Sequence, residues 1–596
     1  MHPSSFVASR RGISGELRRS ALAAAVSVLV AHPGSHAAAQ TTAATATAFL
    51  NSIGICTHMT QGADAPASVA NCLSFAGIHN IRDDFSSDVS KFLTVHSSSG
   101  AKVCLLPQNG NVTGTLSSLE QLAAASALLA AEGPNEPNNF PVTYNGQTSG
   151  YTTTFLPVAQ FQSALYAAVK ADTKLTGIPV FASSEAGGSE PDNVGLQFLT
   201  IPSGAGTTVA AGTTYADYAN THNYICAHFS APVNNNAWNA EDPTLNSSWD
   251  GLYVEYGHTW HEGFSGYGAT QLASLPRVTT ETGWVTQGTN SITQDQQGKL
   301  FMNLYLAAFK RGWSYTFIYM LHDSTSQGYW GLFDTSYNAK LSGTYLHNLT
   351  TILGDTGSRT PGALNYTIPS EPSTVHDLLL QKSNGNFELI VWDENITGQD
   401  NVTVNLGNPY AAVNVYDPTV GTAATRALSG VSSVTLTLSD HPQVIEVVTS
   451  AGMVFQAESL SVVAQTSGVV YRLVSDPNFN GGQGSYFDAT AAGQYVTFDV
   501  PNLAAQTYSV RVGMKQWNNK GNWQLAISRM DQQATPTNVG APVDESNPNV
   551  IFTEVTLGNW TPGTTSDKAF RFTVTGKSAG STGYGVDFDY FKLVPL

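Results

Sequence analysis

The 596-residue chain contains few charged residues. Asp, Glu, Lys and Arg together make up 12% of it, against about 25% in an average soluble protein. Hydrophobic residues at 42% and aromatic residues at 10% are ample for folded cores, so disorder driven by excess charge is excluded. At this length, two to four domains of roughly 100–250 residues each are expected.

Positive charge is scarcer than negative charge. The formal net charge is −17, and because the first 39 residues hold four arginines and one glutamate, the remainder carries −20. Phosphate backbones and anionic lipid surfaces repel such a chain. We therefore expect neither a nucleic-acid partner nor a membrane partner.

Long apolar runs are also missing. The run at 21–31 is about half of the roughly 20 residues that a membrane-spanning helix needs, and no later run approaches that length. It follows a basic stretch, 10–19, and precedes the small residues 37–39, which is the order of a secretory signal peptide. Residues 1–39 are predicted to be that signal, and the mature protein, starting near Gln40, to be a secreted (extracellular or periplasmic) monomer.

Cysteine is rare, with four in the chain. No CxxC or Cys/His spacing typical of zinc is present. An even number of cysteines in an exported protein permits disulfides, and Cys56–Cys72 is the favoured pair for one bridge. Cys104 lies in the apolar run KVCLLP and is expected to be a buried free thiol.

Between residues 50 and 350, short apolar runs alternate with segments of helical period, such as 158–175 and 295–312. Strand-like runs occur at 52–58, 80–85, 102–107, 128–133, 178–184, 218–224, 277–283 and 315–321. Eight strands separated by helices predict a (β/α)8 TIM barrel. A doubly wound sheet is disfavoured because no glycine-rich dinucleotide turn follows the first strand.

After Pro361 the hydrophobic pattern changes to a period of two. The run HDLLLQKSNGNFELIVW predicts a hairpin that turns at Asn384-Gly385. Alternating strands continue to the C-terminus, which is typical of sandwiches and jelly rolls. The prediction is a multidomain chain: signal peptide 1–39, (β/α)8 catalytic barrel 40–355, small β-sandwich 356–450 and C-terminal β-sandwich (jelly-roll) module 451–596.

Two glutamates follow predicted barrel strands directly. Glu136 lies in AAEGPNEPNNF after the fourth strand, and Glu281 in RVTTETG at the end of the seventh. Catalytic groups of TIM barrels project from the C-terminal ends of the strands, so these two side chains can converge. Glycoside cleavage requires such a pair, one protonated and one ionised. The alternative is that both are ordinary loop acids.

The residues around these glutamates resemble the clan A retaining glycoside hydrolases over about residues 50–350. The matching motifs are Asn135-Glu136-Pro137, TETGW around Glu281, THNY at strand six and IYMLHDSTSQGYWGLFD at strand eight. The resemblance implies that Glu136 is the acid/base and Glu281 the nucleophile, without a cofactor for catalysis. A general acid needs a raised pKa, which burial and a neighbouring anion would supply.

The resemblance also implies substrate-binding residues. Asn135 would donate to the sugar 2-hydroxyl, Tyr224 would orient the nucleophile, and Arg82 would lie near it. Aromatic rings matter because they stack on the apolar faces of sugars. Further substrate-binding candidates, all at or after strands one, six, seven and eight, are His58, His222, Trp284, Tyr319 and Trp330.

Other acids and histidines have simpler interpretations. Glu132 is separated from Glu136 by an even number of residues, so along a strand its side chain would point into the barrel on the same face. A structural hydrogen bond is therefore the favoured interpretation of Glu132. Glu185, after strand five, is a candidate cleft residue. His258, His261 and Glu262 look metal-like, but HEGFS lacks the second histidine of HExxH, so a solvated helix end is the better interpretation.

The predicted C-terminal module, which opens with VFQAES and closes with VDFDYFKLVP, is similar to family 6 and family 35 carbohydrate-binding modules. This resemblance implies a structural calcium held by Gln456, Glu458 and Asp589, whose hard oxygen ligands suit Ca²⁺. Trp517 and Trp523 are candidate sugar platforms. A purely structural sandwich with buried tryptophans is the alternative.

The sequence therefore favours a secreted retaining glycoside hydrolase that cleaves a polysaccharide or oligosaccharide, with β-linked substrates preferred. The main alternative is a noncatalytic glycan-binding envelope protein on a barrel scaffold, which would not need both Glu136 and Glu281. A polysaccharide lyase is a weaker third hypothesis, because no matching Tyr/His/Arg set stands out.

Overall fold

The structure is a computed structural model. It describes residues 40–137, 139–150, 152–184, 210, 212–226, 229–244 and 269–596. These residues all belong to one compact unit, which spans 38–596. The predicted signal peptide, Glu185, His258, His261 and Glu262 lie outside the described residues.

The first half of the described chain mixes short strands with helices. Its strands are β1 (Gln40–Thr42), β2 (Ala44–Thr45), β3 (Ile53–Cys56), β4 (Asn80–Asp83), β5 (Lys102–Leu105), β6 (Leu128–Ala131), β7 (Thr143–Tyr144), β8 (Gln147–Thr148), β9 (Ala219–Thr221), β10 (Arg277–Thr282) and β11 (Trp313–Ile318). The helices are α1 (Ala46–Ser52), α2 (Pro66–Ala76), α3 (Ser90–Ser99), α4 (Val112–Ala124), α5 (Leu156–Ala171), α6 (Asn236–Ala240), α7 (Ala269–Ser274), α8 (Gln294–Lys310) and α9 (Leu341–Ile352). Among the described residues, none of the helices has both the length and the apolar character needed to cross a bilayer.

Seven of these strands form one parallel sheet in the order β6-β5-β4-β3-β11-β10-β9. The chain at 180–181 joins its two ends, because Val180 pairs in parallel with Ala131 of β6 and Phe181 pairs with Tyr218 beside β9. Eight parallel segments therefore follow one another in chain order around a TIM-like barrel. They coincide with the eight strands predicted from the sequence.

Helices cover the barrel with their apolar faces, as α8 illustrates. The helix begins at a capping box in which Thr293 and Gln296 each accept from the other's backbone N–H. Leu300 and Leu304 recur at helical spacing, and both are buried. Burying each such leucine stabilises the fold by about 1.5–3 kcal/mol.

The second half of the chain is dominated by strands. They are β12 (Ala363–Asn365), β13 (Val375–Gln381), β14 (Phe387–Asp393), β15 (Asp400–Tyr410), β16 (Val413–Tyr416), β17 (Arg426–Leu428), β18 (Val431–Leu438), β19 (Pro442–Val447), β20 (Met453–Gln456), β21 (Val462–Gln465), β22 (Tyr471–Ser475), β23 (Gln483–Phe487), β24 (Tyr495–Leu503), β25 (Tyr508–Gln516), β26 (Asn522–Arg529), β27 (Thr537–Asp544), β28 (Ile551–Trp560), β29 (Ser566–Gly576) and β30 (Val586–Pro595). β13 and β14 form the predicted antiparallel hairpin. Its turn contains Gly385 at a φ of 94°, a conformation that glycine adopts without steric cost.

The strands after β12 join three larger sheets. One has the order β17-β16-β19-β14-β13-β2, a second β18-β15-β20-β30-β23-β22 with β25 and β28 attached, and a third β21-β24-β29-β26-β27. The second sheet crosses the predicted boundary at 450/451, because Tyr410 of β15 pairs with Met453 of β20. One hydrophobic cluster also extends from Leu364 to Leu593. The two regions are thus joined by backbone pairing and by a shared core.

The first of these sheets is anchored to the barrel through Glu394, which directly follows β14. Its buried carboxylate accepts from the backbone N–H of Ala237 at 2.7 Å and of Trp238 at 3.1 Å, which are orphan donors of the first turn of α6. The indole of Trp392 donates to the same carboxylate at 3.1 Å. α6 follows the loop that carries Tyr224, so the sheet supports one edge of the barrel mouth.

Cys56 and Cys72 are free thiols, so the expected Cys56–Cys72 bridge is not formed. Cys56 belongs to a small apolar cluster with Cys104 and Phe181, whereas Cys72 packs in the cluster beneath the helices. The Cys56 thiol donates to the carbonyl of Thr280 at 3.2 Å. Cys104 is a buried free thiol, as predicted.

Candidate active site

Glu281 lies at the end of β10, where the chain must turn sharply. Gly283 has a φ of 152°, and a Cβ there would lie 2.6 Å from the carbonyl oxygen of Tyr319, so only glycine fits. Glu281 Oε1 accepts from Arg82 Nη1 at 2.6 Å, and Oε2 accepts from the Tyr224 hydroxyl at 2.6 Å. A cation and a hydroxyl therefore hold both oxygens of this carboxylate.

The guanidinium of Arg82 on β4 is buried and shared among three side chains. Its Nε and Nη2 donate to Glu132 at 2.7 and 2.9 Å, and Nη2 also donates to Asn135 Oδ1 at 2.6 Å. Burial opposes the charge of Arg82, but Glu132 and Glu281 outweigh it and raise the Arg82 pKa. Burial likewise raises the pKa of Glu132, but Arg82 outweighs it and lowers that pKa. Both groups are therefore ionised, and Glu132 has the structural role favoured above.

Glu136 follows β6 in a left-handed conformation, with a φ of 37°. Its Oε1 lies 2.7 Å from His222 Nδ1, and its Oε2 accepts from Asn139 Nδ2 at 3.1 Å. Burial raises the pKa of Glu136, but the hydrogen bonds from His222 and Asn139 outweigh it, so the pKa lies below its ordinary value. This direction is opposite to the expectation from burial and a neighbouring anion, because the sequence did not reveal the histidine contact.

His222 is buried behind Glu136 and connects it to the inner barrel. Its Nε2 lies 3.1 Å from Thr280 Oγ1, whose hydroxyl donates to Glu132 at 2.9 Å. Thr280 Oγ1 therefore accepts from Nε2–H, and Nδ1 faces Glu136. A neutral His222 accepts a hydrogen bond from the protonated carboxyl group of Glu136, and a protonated His222 donates one to the Glu136 carboxylate. The contact thus suits both protonation states of Glu136.

Both glutamates open onto a cavity of about 550 Å³. A carboxylate oxygen of Glu136, one of Glu281 and a ring nitrogen of His222 lie within 4.8 Å of one another. Three such groups could ligate a metal ion, and no second cluster of this kind occurs in the described part of the chain. The Arg82 guanidinium already supplies positive charge at Glu281, which disfavours a further cation there.

A chain of hydrogen bonds that ends on the carboxylate of Asp84 borders this cavity. The hydroxyl of Tyr319 donates to Gln327 at 3.1 Å, Gln327 donates to Gln61 at 2.8 Å, and Gln61 donates to Asp84 at 2.5 Å. The ring of Trp330 stands edge-on to that of Tyr319 with centroids 5.9 Å apart. Sequence reasoning missed Gln61, Gln327 and Asp84, although each stands in a loop that follows a barrel strand.

The cavity continues along one side of the mouth. A neighbouring space of about 430 Å³ shares Asp84, Asn135 and Phe140 with it. Phe140, which is 55% exposed, belongs to the wall that the two spaces share.

Most of the predicted substrate-binding residues meet at this cavity. Those that line it are His58, Arg82, Asn135, Tyr224, Tyr319 and Trp330. Burial lowers the pKa of His58, so its ring is neutral, and its backbone N–H donates to Asp64. His222 contacts Glu136 from behind and does not line the cavity. Trp284 lies in the core rather than on the cavity wall, with 1% exposure and its indole donating to Asn290 O at 2.7 Å.

The residues predicted to bind calcium lie at β20 and β30. Gln456 ends β20 and pairs with Tyr590 of β30, the strand that also contains Asp589. Gln456 Oε1 and Glu458 Oε2 are buried without a hydrogen-bond partner. Burial and the charge of Glu458 raise the pKa of Asp589 to about 7, so the two carboxylates lack a counter-charge. Unpartnered buried oxygens of this kind fit a hard cation.

The two tryptophans predicted as sugar platforms differ in exposure. Trp517 is 41% exposed, after the end of β25. Trp523 is fully buried, and its indole donates to Glu545 at 2.8 Å. Trp523 is therefore a core residue, as in the structural alternative, and Trp517 stays a candidate platform.

No family model matches the chain, and no curated protein matches it. Among solved structures it is similar to a glycoside hydrolase family 30 subfamily 8 xylanase from Clostridium acetobutylicum, with 14% identity over 69% of this chain and 97% of that one and a TM-score of 0.40. A family 30 endoxylanase from Clostridium papyrosolvens matches at 12% identity, 69% and 97% coverage and a TM-score of 0.38.

Two other matches have different extents. A glucosidase from Croceicoccus marinus matches at 11% identity over 63% of this chain and 91% of that one, with a TM-score of 0.38. A Paenibacillus xanthan lyase matches at 21% identity over 41% of this chain and only 23% of that one, with a TM-score of 0.22. Every one of these TM-scores is below 0.5, so these similarities do not assign a function to the chain.

Proposed function

We propose that the chain is a retaining glycoside hydrolase that cleaves β-linked polysaccharides or oligosaccharides. The observation that carries this proposal is the pairing of Glu136 and Glu281, whose nearest oxygens lie within 4.8 Å on one cavity. Retaining enzymes place their two carboxyl groups about 5–5.5 Å apart, and inverting enzymes about 6.5–9.5 Å apart. The short separation favours retention.

The surroundings divide the roles between the two acids. Glu281 contacts the Arg82 guanidinium and the Tyr224 hydroxyl, so it serves as the ionised nucleophile. Glu136 contacts His222, which accommodates the acid and its conjugate base, so Glu136 serves as acid/base. A noncatalytic binder would gain nothing from this division.

In the first step, Glu281 attacks the anomeric carbon and forms an ester with it. The bond from that carbon to the glycosidic oxygen breaks as Glu136 gives this oxygen its proton, and the leaving alcohol departs. Asn135 lines the cavity and would donate to the sugar 2-hydroxyl through its NH₂ group, because its carbonyl oxygen already accepts from Arg82. Hydrogen bonds at this hydroxyl strengthen in the transition state.

In the second step, Glu136 takes a proton from water, and the resulting hydroxide oxygen attacks the same carbon. The ester to Glu281 breaks, and the sugar is released with its original configuration. Arg82 and Tyr224 stabilise the carboxylate that reappears on Glu281. The ester removes the negative charge facing Glu136 between the two steps, which assists its change from acid to base.

A glycan panel with product analysis tests this proposal. The purified chain should release sugars from at least one β-linked glycan, and NMR of the first product should show the β-anomer. A 2-deoxy-2-fluoro glycosyl fluoride of the same sugar should add its mass to the peptide that contains Glu281. An initial α-anomer would refute retention. Binding of the glycan without any cleavage would favour the noncatalytic alternative.

For the C-terminal region, we propose a small sandwich over 356–450 followed by a carbohydrate-binding module over 451–596. Gln456 and Glu458 would hold a structural Ca²⁺ through oxygens that lack a hydrogen-bond partner, together with Asp589, whose Oδ1 also accepts from the backbone N–H of Asn480 at 2.9 Å. Exposed Trp517 would contact the polymer. Trp517→Ala should weaken retention on the insoluble polymer that the panel identifies and leave the rate on short soluble substrates unchanged, with the exposed Val550→Ala as the control.

We also propose that the protein is exported and acts as a monomer. Cleavage near Gln40 would retain β1, which pairs with β12 from Asn365 to Ala363. N-terminal sequencing of protein recovered outside the cytoplasm tests the cleavage site. Light scattering during gel filtration tests the monomer.

A further inference from the structure

The described residues that follow the eight barrel strands carry almost no positive charge. They lie within 57–65, 84–89, 106–111, 132–155, 210–218, 222–244, 269–276, 283–293 and 319–340, and those that the structure describes contain 10 acidic residues, one lysine and no arginine. Two of these acids, Asp217 and Asp242, pair with Lys170 and Arg311 of neighbouring helices. Loops at this end of the strands border the mouth of a TIM barrel.

The lysine, Lys340, is not available to a ligand. It is 4% exposed, and its Nζ donates to Asp323 at 3.0 Å and to Thr286 at 2.9 Å. Arg82, the only cation that lines the cavity, is also 4% exposed and is held by Glu132, Glu281 and Asn135. Within the described cavity, no positively charged group is left to pair with a substrate.

Apart from Arg82, the side chains that line the cavity are neutral or acidic. Gln61, Gln327, Asn135 and Tyr319 supply amide and hydroxyl groups, and Asp84 supplies a carboxylate at the rim. Such groups can exchange hydrogen bonds with sugar hydroxyls at no cost in charge. A carboxylate or sulfate on the sugar would be desolvated beside Glu136, Glu281 and Asp84 with no counter-ion.

From these observations we infer that the site accepts uncharged sugars and excludes sugars that carry a carboxylate or sulfate next to the scissile bond. The inference rests on the proposed glycosidase function, because it concerns the selectivity of the same cavity. The carboxylates that line the cavity, Asp84, Glu136 and Glu281, would act before contact as well, since a field of one sign in a cleft changes the local concentration of charged ligands.

Matched substrates that differ only in charge test the inference. The probes are the 4-nitrophenyl β-glycoside of the sugar that the panel identifies, its uronate counterpart, and the methyl ester of that uronate. We expect kcat/KM for the uronate to be at least 100-fold below that of the neutral glycoside, and the methyl ester to recover most of the loss. The ester has the bulk of the uronate without its charge, so size alone predicts no recovery.

Ionic strength gives a second readout. The Debye length falls from about 30 Å at 0.01 M salt to about 3 Å at 1 M. Raising the salt should increase kcat/KM for the uronate several-fold and leave the neutral glycoside unchanged. A uronate cleaved as fast as its ester, or a salt effect of equal size on both, overturns the inference. No cleavage of any glycoside would instead remove the proposed function, so the two failures are distinguishable.

A gain of activity can be engineered at Gln327. Gln327→Lys places a cation in the cavity wall, and Gln327→Met is the matched uncharged control of similar length. The lysine variant should raise the uronate-to-neutral ratio of kcat/KM at least tenfold over the methionine variant. Equal ratios would show that charge at this wall does not set the selectivity, and would overturn the inference. Gln61→Lys against Gln61→Met repeats the test if Gln327→Lys fails to fold.

Discussion

The barrel and the C-terminal region each bury a group of side-chain oxygens, and the two groups are completed in different ways. In the barrel, Glu132 and Glu281 share Arg82, and further donors contact each carboxylate. In the C-terminal region, Glu458 and Asp589 have no such cation, and oxygens of Gln456 and Glu458 lack partners. The barrel site is therefore balanced by the protein itself, whereas the proposed Ca²⁺ would balance the C-terminal site.

This difference distinguishes the proposed catalytic site from the proposed calcium site. Catalysis needs one carboxylate that stays ionised and one that exchanges a proton, so internal donors must be present before substrate arrives. A structural cation site must leave its oxygens unpaired, because the ion is the partner. Substitutions that disturb each group should consequently act on different observables.

The largest effect is expected on replacing the nucleophile. Glu281→Ala should lower kcat at least about 10⁴-fold because no covalent intermediate forms, and azide should restore part of the activity as an external nucleophile. Rates with and without azide, and the configuration of the product, are the measurements. The surface change Glu371→Ala is the control. Unaltered turnover in Glu281→Ala would rule out its role as nucleophile.

Glu136→Ala should show a loss that depends on the leaving group. Proton transfer contributes about 10²–10⁴-fold to such reactions, so natural glycosides should lose that factor, whereas 2,4-dinitrophenyl glycosides should lose far less in the first step. Steady-state kinetics on both substrates measures the contrast. Equal losses would mean that Glu136 is not the acid.

Replacing Arg82, which contacts Glu132, Glu281 and Asn135, is expected to lower the free energy of unfolding. Arg82→Met leaves Glu132 and Glu281 as unpaired buried charges, and breaking such a pair costs about 3–5 kcal/mol. Urea unfolding monitored by fluorescence gives the free energy of unfolding. Arg529→Met, which removes an exposed ion pair with Asp531, should cost less than about 1 kcal/mol. Equal costs would contradict the comparison.

Calcium should act on the C-terminal region alone. Millimolar Ca²⁺ should raise the Tm of the transition that includes this region by several degrees, and EDTA should lower it, because a bound ion stabilises only the folded state. Asp589→Asn should abolish the shift, whereas Asp531→Asn at an exposed site should preserve it. Calorimetry and isothermal titration are the measurements. Should kcat on short substrates depend on Ca²⁺, the separation of the two sites would be broken.

The last prediction concerns the pH dependence of stability and Glu241 of the barrel. Like Glu458, it has a buried carboxylate oxygen without a hydrogen-bond partner. Its Oε2 lacks a partner, and burial raises its pKa from 4.5 to about 8. The folded state then keeps a proton that the unfolded state has released, so stability is lost as the pH rises from about 5 through 8. In Glu241→Gln, the fall in Tm over this range should be shallower. Identical pH profiles would show that Glu241 is not protonated in the folded protein.

Much of the site was predictable because it depends on chain-local signals. The strands that contain Arg82 and Glu281, and the one that precedes Glu136, were predicted as short strand-like runs, and residues at the C-terminal ends of parallel strands meet at one edge. Trp284 was misplaced because a residue after a strand points either to the mouth or to the helix layer, and the turn at Gly283 decides which. His222 was found as a candidate, but its contact with Glu136 joins the ends of strands six and four across the barrel and depends on no motif.

The order of strands and helices, the change to all-β structure after Pro361 and the two glutamates at strand ends could be read from the chain alone, because periodicity and turn residues act over a few neighbouring positions. Which charges balance one another depends on the folded arrangement. Arg82 reaches both Glu132 and Glu281, and Tyr410 pairs with Met453 across the predicted domain boundary. Pairing energies depend on distance and burial, and residues far apart in the chain acquire both only when the fold closes.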